Sequence, residues 1–208
     1  MMRSAILIAL FMTTVACSAE RGDAWVKGSL FVPKCEDGES LDESCSMSNA
    51  VVVDEACNGA QDTAQCGAFD LQADFVSLEV FGDESAKMRI QRGGQDLALS
   101  DGLVFEIQDI RRLRGGLGDT VAVGPDANIR AAMALFGRCP DGNENFELRG
   151  TVTFTHFGNR PGDRISGCVD VLEVRNGRGE EPGEVLGFLQ GGFDFVYQRG
   201  TPYQRFSR

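Results

Sequence analysis

The sequence predicts an all-β fold: an antiparallel β-sandwich of about nine or ten short strands, with a disulfide-stapled, irregular loop region near its N-terminus. Three observations predict it. Glycine makes up 26 of 208 residues, against about 7% in ordinary chains, and the glycines separate short apolar runs, as turns and bulges do. Within those runs apolar residues recur at every second position, the period of a strand with one buried face. Fourteen Phe accompany only two Tyr and one Trp. Phe lacks a polar tip and prefers burial, so the aromatics read as core rather than as an exposed stacking platform.

The chain opens with a segment that does not belong to this fold. Arg3 is the only charge in the first 19 residues, and Ala5 to Val15 is an uncharged, mainly apolar run. That run is too short to span a bilayer as a helix, which takes about 20 residues, but it has the layout of an export signal. No other segment is long and apolar enough to cross a membrane. The junction Thr14-Val15-Ala16-Cys17-Ser18 resembles the lipobox of bacterial lipoproteins. The resemblance implies cleavage before Cys17, a diacylglyceryl group on its thiol and acylation of the freed amine. Thr14 departs from the pattern, which usually has an aliphatic residue there. Ser18 stands where many inner-membrane lipoproteins carry Asp, so the resemblance implies the outer membrane of a Gram-negative envelope. The expected organisation is a signal peptide at 1–16, a lipidated tether at 17–23 and one β-sandwich domain at 24–208. The tripeptide Arg21-Gly22-Asp23 in the tether matches an integrin-binding motif, a match expected by chance.

With Cys17 assigned to lipid, six cysteines remain: Cys35, Cys45, Cys57, Cys66, Cys139 and Cys168. An even number in an exported chain points to three disulfides. Fifteen connectivities are open; Cys139–Cys168 with the sequential pairs Cys35–Cys45 and Cys57–Cys66 is preferred. Zinc is the competing use, but there is no C-x-x-C and only one histidine.

The elements follow in order. Trp25–Val32 reads as the first strand. Residues 34–66 are irregular and acidic, with Ala50–Val53 a short strand inside them; a stretch this long is uncommon unless stapled or functional. Phe69, Leu71, Ala73 and Phe75 share one parity, while Val76, Leu78 and Val80 share the other. The switch predicts a bulge, or a strand passing from one sheet to another. Further strands are expected at Lys87–Gln91, Leu103–Ile110 and Thr120–Val123, with a turn at Gly115–Asp119. Asn128–Phe136 fits either period and is read as a strand because its neighbours are β. Phe146–Phe157, Ile165–Val174 and Val185–Tyr197 complete the set, with a bulge expected at Gly191-Gly192. The glycine–aromatic pattern of Ile165–Val171, Leu186–Phe188 and Gly192–Phe195 is similar to that of many uncharacterised bacterial lipoprotein β-sandwiches, and implies fold only.

Composition and motifs narrow the function. A net charge of −11 disfavours nucleic acid, which needs a positive face. The charge is uneven: residues 31–64 hold eight acidic side chains, Glu36, Asp37 and Glu39 among them, against Lys34 alone. Gly115–Asp119 lacks the Lys-Ser/Thr ending of a phosphate loop, so no nucleotide is expected. His156, the only histidine, shares parity with Val152 and Phe154 and is expected on an apolar side. No nucleophile motif accompanies it, so no catalytic residue is assigned. Asp141–Asn145 alternates oxygen ligands as calcium loops do but lacks the glycine at the sixth position, and reads as a turn. No metal or cofactor is expected. The expectation is a lipid-anchored envelope protein, a non-enzymatic binding or structural module that would contact another protein or a surface component through region 34–66. The alternative is an envelope hydrolase with carboxylates between loops.

Overall fold

The computed structural model describes residues 22–33, 51–53, 64–93, 100–138, 142–176, 183, 185–197 and 203–204. Twelve strands and one short helix follow in the order β1 (Asp23–Pro33), β2 (Val51–Val53), β3 (Ala64–Gln72), β4 (Phe75–Val80), β5 (Ala86–Arg92), β6 (Asp101–Ile107), α1 (Ile110–Gly115), β7 (Thr120–Val123), β8 (Ile129–Arg138), β9 (Gly142–Phe157), β10 (Arg164–Asn176), β11 (Val185–Val196) and β12 (Tyr203–Gln204). The all-β class holds. Ten strands of four residues or more form one curled, mostly antiparallel sheet, a half-barrel, with the very short β2 and β12 at its ends. The sheet order is β12-β4-β5-β6-β8-β7-β9-β10-β11-β1-β3-β2. One hydrogen-bonded sheet therefore stands where two facing sheets were expected.

The parity switch at Phe75/Val76 shows how the curl is held. β3 and β4 lie towards opposite ends of the sheet, yet only Ala73 and Asp74 separate them. The Ala73 N–H donates to the Ala24 carbonyl of β1 (2.9 Å), and the Asp74 N–H to the Gln91 carbonyl of β5 (3.0 Å). Successive strand amides point to opposite edges, so residues 64–80 act as one strand with β1 on one side and β5 on the other. The sequence reading of a strand that changes sheets becomes a strand that joins the two ends of a single sheet.

The concave face holds one core. Phe69, Phe105, Phe154, Phe193, Phe195, Leu30, Met88 and Ile90 are fully buried in it. Phe154 packs edge-on against Phe157 and Phe193, with centroids at 5.6 and 5.2 Å, the arrangement that ring quadrupoles favour. Phe81 and Phe188 break the expectation of buried aromatics, at 42% and 52% exposure.

β11 departs from the expected bulge. Its register with β1 runs unbroken through Trp25↔Gly192 and Val26↔Gly191. Opposite these glycines the irregularity lies on β10, between Val169 and Leu172, while β11 carries its own extra residue at Leu186, between the pairs Val174↔Gly187 and Arg175↔Val185. The apparent parity change has a simpler cause: Phe188 faces solvent, while Leu189, Phe193 and Phe195 face the core. The glycines serve close approach instead. A Cβ on Gly28 would run into the Phe188 carbonyl, and one on Gly187 into the Ser29 carbonyl.

β7 and β8 run along the same edge of β9. β7 pairs with residues 150–153 and β8 with residues from Gly142 to Leu148. Between them residues 124–128 loop out, closed by Gly124 N–H to Ile129 O at 2.9 Å. Gly150, at φ +148°, marks the changeover.

The expected strand Leu103–Ile110 ends early, at Ile107. α1 follows, because Asp109 caps it: its carboxylate accepts from the Arg111 and Arg112 amides at 2.8 and 3.1 Å. Ile110 and Leu113 bury against the core. The helix lies at one end of the curled sheet. That end also carries the β4–β5 turn, the β9–β10 connection and the start of β1, as the alternating strand directions require.

Candidate functional site

At the α1 end an open cleft of about 330 Å³ runs between the helix and the β7 strand with its looped-out segment. It sits at the lower edge of the sizes typical of small-ligand pockets. Leu113, Val121 and Ala127 give it an apolar floor, and Arg112, Asp119 and Asp126 supply one cation and two anions. The Asn128 side chain sets its geometry. Its Oδ1 accepts from the Asp109 N–H at 3.0 Å, and its Nδ2 donates to the Asp109 carbonyl at 3.1 Å. The Gln108 N–H donates to the Asn128 carbonyl at 2.8 Å. Asn128 thus holds the residue that caps the helix, joining both walls of the cleft.

Asp119 and Asp126 are the only carboxylates among the residues lining this cleft. Both are solvent-exposed. The cleft therefore brings one guanidinium and two carboxylates to an apolar surface open to solvent.

His156 is not on an apolar side. Ser166 of β10 pairs with His156 and the next residue, Gly167, with Phe154, so Thr155 is an extra residue in β9. This bulge reverses the parity: His156 becomes exposed and Phe157 buried. His156 Nδ1 lies 2.9 Å from Ser166 Oγ, and Thr155 Oγ1 lies 2.8 Å from the same oxygen. A hydroxyl beside an imidazole invites comparison with a nucleophile–base pair. The carboxylate is misplaced for it. Asp194 pairs with Ser166 from β11, on the far side of the hydroxyl from the imidazole, and is bound by Arg164 through Nε (2.9 Å) and Nη2 (2.5 Å). That bidentate bond raises the Arg164 pKa further above its ordinary value, first by hydrogen bonding and then by charge. A triad needs the carboxylate on the imidazole to orient it. His156, Ser166 and Asp194 form a cross-strand row on the convex face, with Arg164 bound to Asp194 at its end.

Of the residues singled out from sequence, Cys17, Cys35, Cys45, Cys57 and Cys139 lie outside the described residues. So do Asp141 and the acidic residues of segment 34–50. Cys66 lies on β3, its backbone paired with Phe31. Cys168 is half-buried on β10, between Thr153 and Gly192. No disulfide is seen among the described residues, and the preferred pairings all involve partners outside them. Gly142–Asn145, read as a turn, begins β9. Among the described residues no three His, Cys, Asp or Glu side chains group as metal ligands, and no helix is long and apolar enough to cross a membrane. Sequence reading missed the cleft entirely. Its one legible signal was Asp109 ahead of Ile110 and Leu113, a capping residue before an i, i+3 apolar pair.

Comparison with protein families, with curated proteins and with solved structures finds no match.

Proposed function

We propose that this chain is a lipid-anchored protein of the bacterial cell envelope, carried on the outer membrane, whose half-barrel domain binds rather than catalyses. The observation that carries this reading is the run Arg3, Ala5–Val15 and Thr14-Val15-Ala16-Cys17. An export signal that ends on a lipobox-like cysteine leaves an even set of six further cysteines, a set that can pair fully in an oxidising compartment. Two or three acyl chains on one residue hold firmly where one holds marginally, each buried CH₂ contributing about 0.8 kcal/mol. The cysteine-bearing segment 34–66, stapled by disulfides, is the proposed contact for an envelope protein partner. A binding rather than catalytic role is supported by the site chemistry: exposed carboxylates in the cleft and a serine–histidine pair with its carboxylate on the wrong side.

Metabolic labelling with a radioactive fatty acid tests the anchor. Wild-type protein takes up the label and Cys17→Ser loses it. Label persisting on Cys17→Ser, or missing from the wild type, would sink the proposal. The second reading, a hydrolase, draws on Asp119 and Asp126 sharing one cleft. It requires turnover of an envelope glycan that Asp119→Asn and Asp126→Asn both abolish.

A further inference from the structure

The geometry points to the α1 end of the domain as a membrane-seated face. We infer that Phe81 and Leu117 enter the headgroup–acyl boundary while Arg111, Arg112 and Arg114 meet lipid phosphates. This inference rests on the lipid-anchor reading above.

Chain connectivity supplies the first argument. β1 starts at Asp23, at the same end of the sheet as α1, and five residues separate it from Cys17. Fully extended, that link spans about 20 Å. An anchor on Cys17 therefore keeps the α1 end near the bilayer and points the opposite end away from it.

Exposure supplies the second. Among the described residues four large hydrophobic side chains are exposed: Phe81, Leu117, Val171 and Phe188. Val171 and Phe188 sit on the convex face of β10 and β11. Phe81 and Leu117 sit at the α1 end, in the β4–β5 turn and just after the helix. Both are held in place. The Ile110 N–H donates to the Glu84 carbonyl (2.9 Å), and the Gly118 N–H to the Phe154 carbonyl (2.8 Å). Arg111 and Glu84 also form an ion pair. The β4–β5 turn is thus bonded to the helix and the following loop to β9, with Phe81 and Leu117 both at this end.

Charge decides what kind of lipid surface fits. The three arginines of α1 are exposed, but Asp83, Glu84, Asp119 and Asp126 are exposed at the same end, and the whole chain carries −11. Bulk attraction to an anionic membrane is therefore not the driving force. A mixed rim suits zwitterionic headgroups such as phosphatidylethanolamine. The anchor supplies the affinity, and raises the local concentration so that a weak second contact suffices. The rim then fixes orientation.

The test uses the full-length lipidated protein in vesicles of phosphatidylethanolamine and phosphatidylglycerol, with and without bromine-tailed lipid. In a Trp25→Phe background, single Trp residues replace Phe81, Leu117 or Phe188, all exposed sites. An apolar tip buried about 5–10 Å into the boundary comes within reach of the bromines. Phe81→Trp and Leu117→Trp should each lose about half their emission, and Phe188→Trp should keep it. Equal quenching at all three, or stronger quenching at 188, on protein that still floats with the vesicles overturns the orientation and leaves the anchor standing. Wild-type protein that fails to float overturns the anchor and the orientation with it.

Discussion

Asn128 shows how much one side chain can organise. Its amide acts as a short strand, exchanging two hydrogen bonds with the Asp109 backbone. Those bonds hold the capping residue of α1 and one wall of the cleft. Asn128→Ala leaves the part-buried Asp109 N–H without this partner and the Asp109 carbonyl with the Leu113 N–H alone, so it should cost about 1–2 kcal/mol. The urea midpoint reads that loss, and the unfolding slope should stay unchanged. A loss no larger than that of an exposed substitution such as Arg130→Ala would show that water replaces the amide freely. At this scale the sequence was least legible. His156 was placed on an apolar side because strict alternation from Val152 reaches it, and one extra residue, Thr155, undid that count. The Asn128 bond was invisible because its partner lies 19 positions away across a helix that no periodicity announces.

At the scale of elements the record is better, for a physical reason. Thr120–Val123 was read without error, and the long strands β9, β10 and β11 were located to within a few residues, because several consecutive side chains report each buried face. α1 escaped because six residues give less than two turns of helical period. Gly191-Gly192 was misread as a bulge because glycine also appears where backbones crowd, a use that the one-dimensional pattern does not distinguish from a bulge. Gly28 belongs to this crowded group. Its Cβ would strike the Phe188 carbonyl, whereas one on Gly82 meets nothing within 4 Å. Gly28→Ala must push β1 from β11 and should cost about 2–3 kcal/mol; Gly82→Ala should cost little. Thermal unfolding of the two variants checks this, and equal midpoints would count against the close approach.

The whole molecule depends on two residues between strands. Ala73 and Asp74 hand the chain from one end of the sheet to the other, and each donates to a different neighbour. Asp74 does more: its carboxylate accepts from the Gly93 N–H at 3.2 and 3.1 Å. Asp74→Pro removes both bonds and should cost about 2–4 kcal/mol. Because residues 64–80 bind β1 on one side and β5 on the other, the loss should appear as one cooperative shift. Amide exchange in β1 and in β5 should accelerate together. Faster exchange in β5 alone would mean that the two ends of the sheet unfold separately. The sequence showed that something happens at Phe75/Val76, and the parity switch was a correct sign. It could not show that the two ends of one sheet meet there, since closure is a relation between strands far apart in the chain.

The pairing of β1 with β11 bears on the order of events during biogenesis. β1 finds one neighbour soon, since Trp25 pairs with Gln72. Its other edge waits for β11: Asp23 pairs with Asp194, 171 positions later. Contacts this distant in sequence form late, because loop-closure entropy opposes them until most of the chain is available. A polypeptide that emerges N-terminus first from the ribosome therefore completes the β1–β11 ladder only after Asp194 has emerged. Until then that edge of β1 stays unpaired with β11, and the joining of the two is among the last long-range events of synthesis.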